Sequence, residues 1–445
     1  MRFLLFVLLS WLLIVPTEVS ADKPPQGDPQ AVQEVLDGKR DTANAAWWGF
    51  DPDDATEALQ GAIDSGAKKV IVPDIGSDWI VRPIQLVGNQ ELVLEKGAVI
   101  TAKRGEYRGR GDSVFTGRNI SNFTLRGYGA TVRMQKEDYI VGIVLKDFGW
   151  NRWFGQYEKA EWRMALSLRG CSNVNVYGVT LRDSGGDGIY IGDGKQGYCK
   201  NIHIKDVDCD NNYRQGISII SVDGLLVEDS VFQNTWGTPP SSGVDIEPDA
   251  PDQKVKDILF RNCRFVDNYG DGIEVFLSHQ DKTSDDISIL FDNCSVSSRR
   301  GPGIRVTKIV DDGPQGLVEF RNCTVEGTEA YGIKVQDKSP KSARVRFVGC
   351  TLKDVARNRN YEGMWAPIWL HPFRPQRVAT FGGIDFIDCR LEDRHNRPAI
   401  SVAEGYEDNP FADITGTIEV KNPNGTKMHL GNNADEITLT LKPIE

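Results

Sequence analysis

The segment Val244-Asp245-Ile246-Glu247-Pro248-Asp249 alternates apolar and acidic residues, and Gly272-Ile273-Glu274-Val275 repeats the phrase further along the chain. Side chains alternate faces along an extended strand, so Asp245 and Glu247 share a face. Glu274 joins them if the two segments lie side by side. Carboxylates that close raise one another's pKa, which keeps one protonated near neutral pH while another stays ionised. That is the equipment of general acid–base or nucleophilic catalysis. Asp187 and Asp271, each followed by glycine, stand just before equivalent strands, as turn residues or as groups that tune the trio. Arg214 and Gln215 occupy the same corner, and Arg305 and Lys334 fall on the segments directly beyond. These, with Asp271, Tyr190, Trp369 and His371, are the candidates for holding a ligand over the acids.

An internal repeat positions them. A small residue followed by an apolar–x–apolar triplet recurs at Ala165, Gly188, Gly216, Gly243, Gly272, Gly303 and Gly332, and more loosely at Pro367 and Ala399. A second phrase recurs between these, at Phe260, Phe291, Phe320, Phe347 and Phe386, each with cysteine three residues later. A coil of about thirty residues holding short strands cannot bury a core alone, but it can when stacked on its neighbours. The expected architecture is all-β: a solenoid of roughly ten rungs with one parallel strand of each kind per rung. A propeller needs four antiparallel strands per ~40–50 residues, more than this spacing allows.

In the aligned strands the Ile/Val/Leu pair points inward and the residue between them outward. Down the stack the outward column reads Ser167, Tyr190, Ser218, Asp245, Glu274, Arg305, Lys334, Trp369, Ser401. Two residues on, a parallel column carries Glu247 and His371. Neighbouring rungs lie about 4.8 Å apart, which brings the three carboxylates together with Arg305 and Lys334 directly beyond. Aromatic residues between Tyr139 and Trp162, and again at Tyr361, Trp365, Trp369 and Phe373, are expected in loops flanking this face.

The flanks carry other signals. Arg2, the apolar run Phe3 to Val15 and Val19-Ser20-Ala21 make residues 1–21 a secretory signal peptide cut near Ala21. Residues 22–40, polar and containing Pro24-Pro25, are expected to be a loose leader, and 41–445 the solenoid domain. Asp54-Ala55-Thr56 offers N-cap chemistry for a helix over about 54–64 that caps the open end of the barrel. No later stretch is long and apolar enough to span a membrane. A net charge of −11 and a pI near 5.2 exclude the broad basic face of a general nucleic-acid binder. No pair of histidines has metal-ligand spacing. The five cysteines of the second phrase are expected to be a ladder of buried thiols, leaving Cys199 and Cys209 as the pair to consider for a bridge.

Together these features resemble the pectin-lyase-like superfamily of right-handed parallel β-helices. The resemblance rests on the capping helix at Asp54-Ala55-Thr56, the Gly66…Val72-Pro73 entry, and the stack that follows. Leu94-Glu95-Lys96-Gly97-Ala98 also resembles the early rungs of polygalacturonase-type glycoside hydrolases. The resemblance implies a secreted carbohydrate-active protein whose polysaccharide or oligosaccharide lies along the outward column. Of the polygalacturonase motifs, Gly186-Asp187-Gly188 is a partial echo, and no Gly-His-Gly is present. The Asp245-x-Glu247 pair with Gln215 nearby is more similar to the carboxylate pair of the iota-carrageenases. It also resembles the Glu-x-Glu calcium site of β-helical alginate and chondroitin lyases, with Lys254 the nearest substitute for their lysine. Three readings stay open. A hydrolase would use Asp245, Glu247 and Glu274, tuned by Asp187, with no cofactor. A lyase or C5-epimerase would hold Ca²⁺ on the same acids and use a Lys or Arg base. A glycan-binding solenoid would do neither. Oligomeric state leaves no mark in the sequence.

Overall fold

The structure is a computed structural model, and it describes residues 27–139, 157, 160–357, 366–373, 378–402, 409–423, 427–430, 434 and 436–444. Short strands wind into a parallel β-helix. Twelve strands stack into one sheet, from Ile84–Gln85 to Met428–Leu430, and twenty-four form the other wall. Every paired strand runs parallel to its neighbours along the stack. The twelve-stranded sheet extends two strands ahead of the repeat visible in sequence, because Ile84–Gln85 and Phe115–Arg118 lack the small-residue phrase.

The register is the one the aligned triplets imply. Ser218 lies opposite Asp245, Asp245 opposite Glu274, Glu274 opposite Arg305, and Arg305 opposite Lys334. Lys334 then faces Trp369, and Gln336 faces His371. What fixes this register is the inward pair of each triplet. Val244, Ile246, Ile273, Val275, Ile304 and Val306 are completely buried, and a slip of one residue would turn all of them outward.

The second phrase supplies the opposite side of the core. Phe260, Phe291, Phe320, Phe347 and Phe386 stack face to face with centroids 4.8, 5.2, 5.1 and 5.1 Å apart. Two residues after each of the first three, an asparagine turns the chain through a left-handed conformation (φ 55° at Asn262 and Asn293, 52° at Asn322), which asparagine tolerates better than most residues. The next residue is the buried cysteine. The Cys323 thiol donates to the Phe291 carbonyl at 3.4 Å and the Cys350 thiol to the Phe320 carbonyl at 3.2 Å. All eight cysteines are buried free thiols. Cys199 lies against Cys171, accepting from its backbone N–H at 3.3 Å, and not against Cys209.

The N-terminal side corrects one expectation. Within the supposed loose leader, Pro29–Leu36 form helix α1, with proline in the first turn and the Asp28 carboxylate capping the Ala31 N–H at 3.0 Å. Ala31 and Val35, four apart on one face, bury against the end of the barrel. Helix α2, Thr56–Asp64, is the expected cap and buries Leu59, Ala62 and Ile63 over the first coil. Residues 1–26 lie outside the described residues, as do Phe148, Trp150, Trp153, Phe154, Tyr361 and Trp365. Among the described residues no helix is long and apolar enough to cross a membrane.

Candidate active site

The strand column is completed by a second column at the corner before it. The residue preceding each small residue (Asp187, Gln215, Ser242, Asp271, Pro302, Tyr331) sits three positions ahead of the column residue of its own rung. Contacts run diagonally, from the corner of one rung to the strand of the next. Gln215 Nε2 donates to Asp245 Oδ2 at 2.8 Å. The Ser242 hydroxyl lies 3.5 Å from Glu274 Oε2. Arg305 Nε and Nη2 reach the two oxygens of Asp271 at 2.6 and 2.9 Å, and Nη1 donates to Glu274 Oε1 at 3.2 Å. The Tyr331 ring stacks on Trp369 at 4.7 Å.

The predicted acids do converge, but under cover. Asp187 is 0% exposed, Asp245 1% and Glu274 4%, while Glu247 is half-buried. Burial and the neighbouring Glu274 and Glu247 hold Asp245 well above the usual carboxylate range. Glu247 is raised by burial, against the pull of Arg214, whose guanidinium lies 4.0 Å away. Glu274 is pushed to about 7, by burial and by Asp271, with Arg305 opposing. Asp187 is pushed to about 6 by burial; Arg214 and the Ser218 hydroxyl oppose it, and neither of its oxygens has a well-formed hydrogen bond. Five carboxyls thus face two guanidiniums and the Lys334 amine, which burial and Arg305 lower to about 8. Two anions this close repel, so Asp245 and Glu247 together favour one neutral acid beside one carboxylate.

Several assigned roles change. Gln215 and Asp271 are 0% exposed and hold Asp245 and Arg305, so they organise the acids instead of meeting a ligand. Tyr190 is covered by Trp162, Met164 and Ile220, with the Arg169 guanidinium 4.1 Å from its ring centre, and it walls off the N-terminal end of the column. Tyr157, expected in a flanking loop, is likewise buried. At the other end a cleft of about 550 Å³ opens between Phe276, His279, Arg305, Lys334, Asp337 and Phe373. Beside it Trp369 stacks on His371 at 4.5 Å, and the Lys334 amine sits 4.8 Å from the Trp369 ring centre. A larger cavity, about 790 Å³, opens on the other sheet around Leu226, Leu259 and Leu290 and contains none of the clustered acids.

Glu161, Ser242 and His279 were not singled out from the sequence, and Ser218 was placed in the column without a role. Glu161 accepts from Thr238 Oγ1 at 3.2 Å, and its charge acts on both Asp187 and Arg214. Its segment precedes the first clear rung, so no repeat marks it. Ser218 and Ser242 were legible by position, as the partners one rung back from Asp245 and Glu274. For Ca²⁺ the arrangement fits poorly: Arg305 occupies Asp271 and Glu274, Gln215 occupies Asp245, and among the described residues no three His, Cys, Asp or Glu side chains are arranged to hold a metal ion.

Residues 158–286 match the family model described as "Right handed beta helix region". Over 144 residues the chain is 30% identical to the uncharacterized protein YclG of Bacillus subtilis (strain 168), covering 28% of this chain and 25% of that protein. The chain therefore spans about a quarter of the curated relative it matches. The mannuronan C-5 epimerase AlgE6 A-module of Azotobacter vinelandii superposes with a TM-score of 0.64 at 14% identity, over 91% of this chain and 99% of that one. The family 28 exopolygalacturonase of Yersinia enterocolitica gives 0.57 at 14% identity, over 91% and 78%. These likenesses establish the fold as a right-handed parallel β-helix.

Proposed function

We propose that this chain, which has the right-handed β-helix fold of the pectin-lyase-like superfamily, is an exported carbohydrate-active enzyme, a glycoside hydrolase working by carboxylate acid–base catalysis. The observation that carries the reading is the pair Asp245 and Glu247, two residues apart on one face of the same rung and both with raised pKa, beside a cleft that Arg305 and Lys334 make cationic. Asp245, the more deeply buried of the two, is the acid that protonates the leaving glycosidic oxygen; Glu247 activates water or attacks the anomeric carbon. The cleft's cations favour a substrate bearing carboxylate or sulfate groups, and the Trp369–His371 stack offers a face for a sugar ring. Similarity in fold to an enzyme titled exopolygalacturonase agrees with this class of substrate.

A lyase or C5-epimerase reading is favoured by Lys334, the lysine of the outward column, whose lowered pKa suits a base, and by the fold of the mannuronan epimerase module. A panel of neutral, uronate and sulfated polysaccharides separates the classes. Hydrolysis releases reducing ends without the ultraviolet absorbance of an unsaturated uronate, elimination gives both, and epimerisation gives neither but changes the uronate composition. A glycan-binding solenoid changes no substrate.

A further inference from the structure

Gln215 is completely buried and its side-chain amide is bonded at both ends. Oε1 accepts from the backbone N–H of Ser242 at 2.8 Å, and Nε2 lies 2.8 Å from Asp245 Oδ2. A backbone N–H can only donate, so the amide oxygen must face Ser242 and the NH₂ must face Asp245; the flipped amide would set donor against donor at Ser242. The NH₂ in turn can only donate, so Asp245 Oδ2 accepts this bond, a part the carbonyl oxygen of a neutral acid fills better than its hydroxyl oxygen. Oδ1, equally buried, receives no N–H or O–H from the fold.

We infer that Gln215 is a positioning residue that confines the proton of neutral Asp245 to Oδ1, relaying the fixed direction of the Ser242 N–H from one rung to the next. The charged groups acting on Asp245 from the surrounding elements are Arg214, Asp187, Glu247, Glu274 and Arg305. Gln215 supplies the geometric constraint these charges lack. An acid with two equivalent oxygens presents its proton in two directions; the relay leaves one. The inference rests on Asp245 being the acid, but it concerns where a proton sits, which can be read without turnover.

The test is infrared difference spectroscopy of the intact protein between acidic and alkaline pH, with Asp245→Asn identifying the band of the neutral Asp245 carboxyl. In the wild type the carbonyl, Oδ2, accepts the Gln215 bond. Gln215→Met, which keeps the volume, is expected to raise the carbonyl stretching frequency. It should also move the Asp245 midpoint up by ~1 pH unit, because the ionised form loses a donated hydrogen bond. The wild type gives a second reading that needs no variant at Gln215. In isotope-labelled protein the Gln215 amide resonance should follow the Asp245 titration, and should stop doing so in Asp245→Asn. An Asp245 band unmoved in frequency and midpoint by Gln215→Met, or a Gln215 amide insensitive to that titration, overturns the assignment. Failure of the hydrolase reading would leave both signals in place, so the two outcomes are distinguishable.

Discussion

Arg305 binds both oxygens of Asp271, at 2.6 and 2.9 Å, from the rung that follows it, and the same guanidinium reaches Glu274 at 3.2 Å. One cation thus neutralises the corner and strand carboxyls of one rung, while Arg214 faces Asp187, Asp245 and Glu247 on the other side. The acid cluster is stable because two arginines bracket it.

Removing one bracket should be costly. Arg305→Ala leaves Asp271 and Glu274 buried and unpaired, and is expected to destabilise the fold by about 3–5 kcal/mol in denaturant titration. Adding Asp271→Asn to Arg305→Met should recover part of that loss, because a neutral pair needs no counter-charge.

Stability should also depend on pH in a direction the raised carboxyls fix. Glu274, at about 7 against 4.5 unfolded, and Asp187, at about 6 against 3.8, bind more protons in the native state than in the unfolded chain. Their contribution is fully present below the unfolded values and is lost as pH rises through about 6 to 7. Lys334, lowered to about 8, acts oppositely, adding stability only as pH rises above that value. Unfolding measured from about pH 4.5 to 7 for wild type and Glu274→Gln should show a shallower fall with pH in the variant. Equal slopes would place Glu274 in an ordinary solvated setting.

The aromatic spine is independent of the site. Phe291→Ala, in the middle of the stack, should cost about 3–5 kcal/mol and leave substrate chemistry intact in the surviving folded fraction. Chemical denaturation with activity normalised to folded protein checks both halves.

Much of the site is legible in the sequence because register is set by burial. The inward Ile/Val pairs repeat so regularly that aligning them is enough to place Asp245, Glu274, Arg305, Lys334 and Trp369 in one column. The corner column is harder: Gln215, Ser242 and Tyr331 share no residue type, and only their contacts one rung onward reveal their purpose. Tyr190 resembles a ligand contact because its position is outward; that it is covered depends on Met164 and Ile220 and on Trp162, which precedes the first clear rung. Helix α1 is hidden by its polar surroundings, although Ala31 and Val35 carry the four-residue spacing that buries it.

In the proposed hydrolysis, Asp245 and Glu247 cleave a glycosidic bond between them. The most direct measurement is reducing-end release from a responsive polysaccharide by wild type, Asp245→Asn, Glu247→Gln and the double variant, each checked for an unchanged melting temperature. Loss of an acid or base contributes ~10²–10⁴ in rate, so each single variant should fall by that factor, and the double variant by little more than the worse single. A double variant that keeps full activity on that substrate would contradict the account.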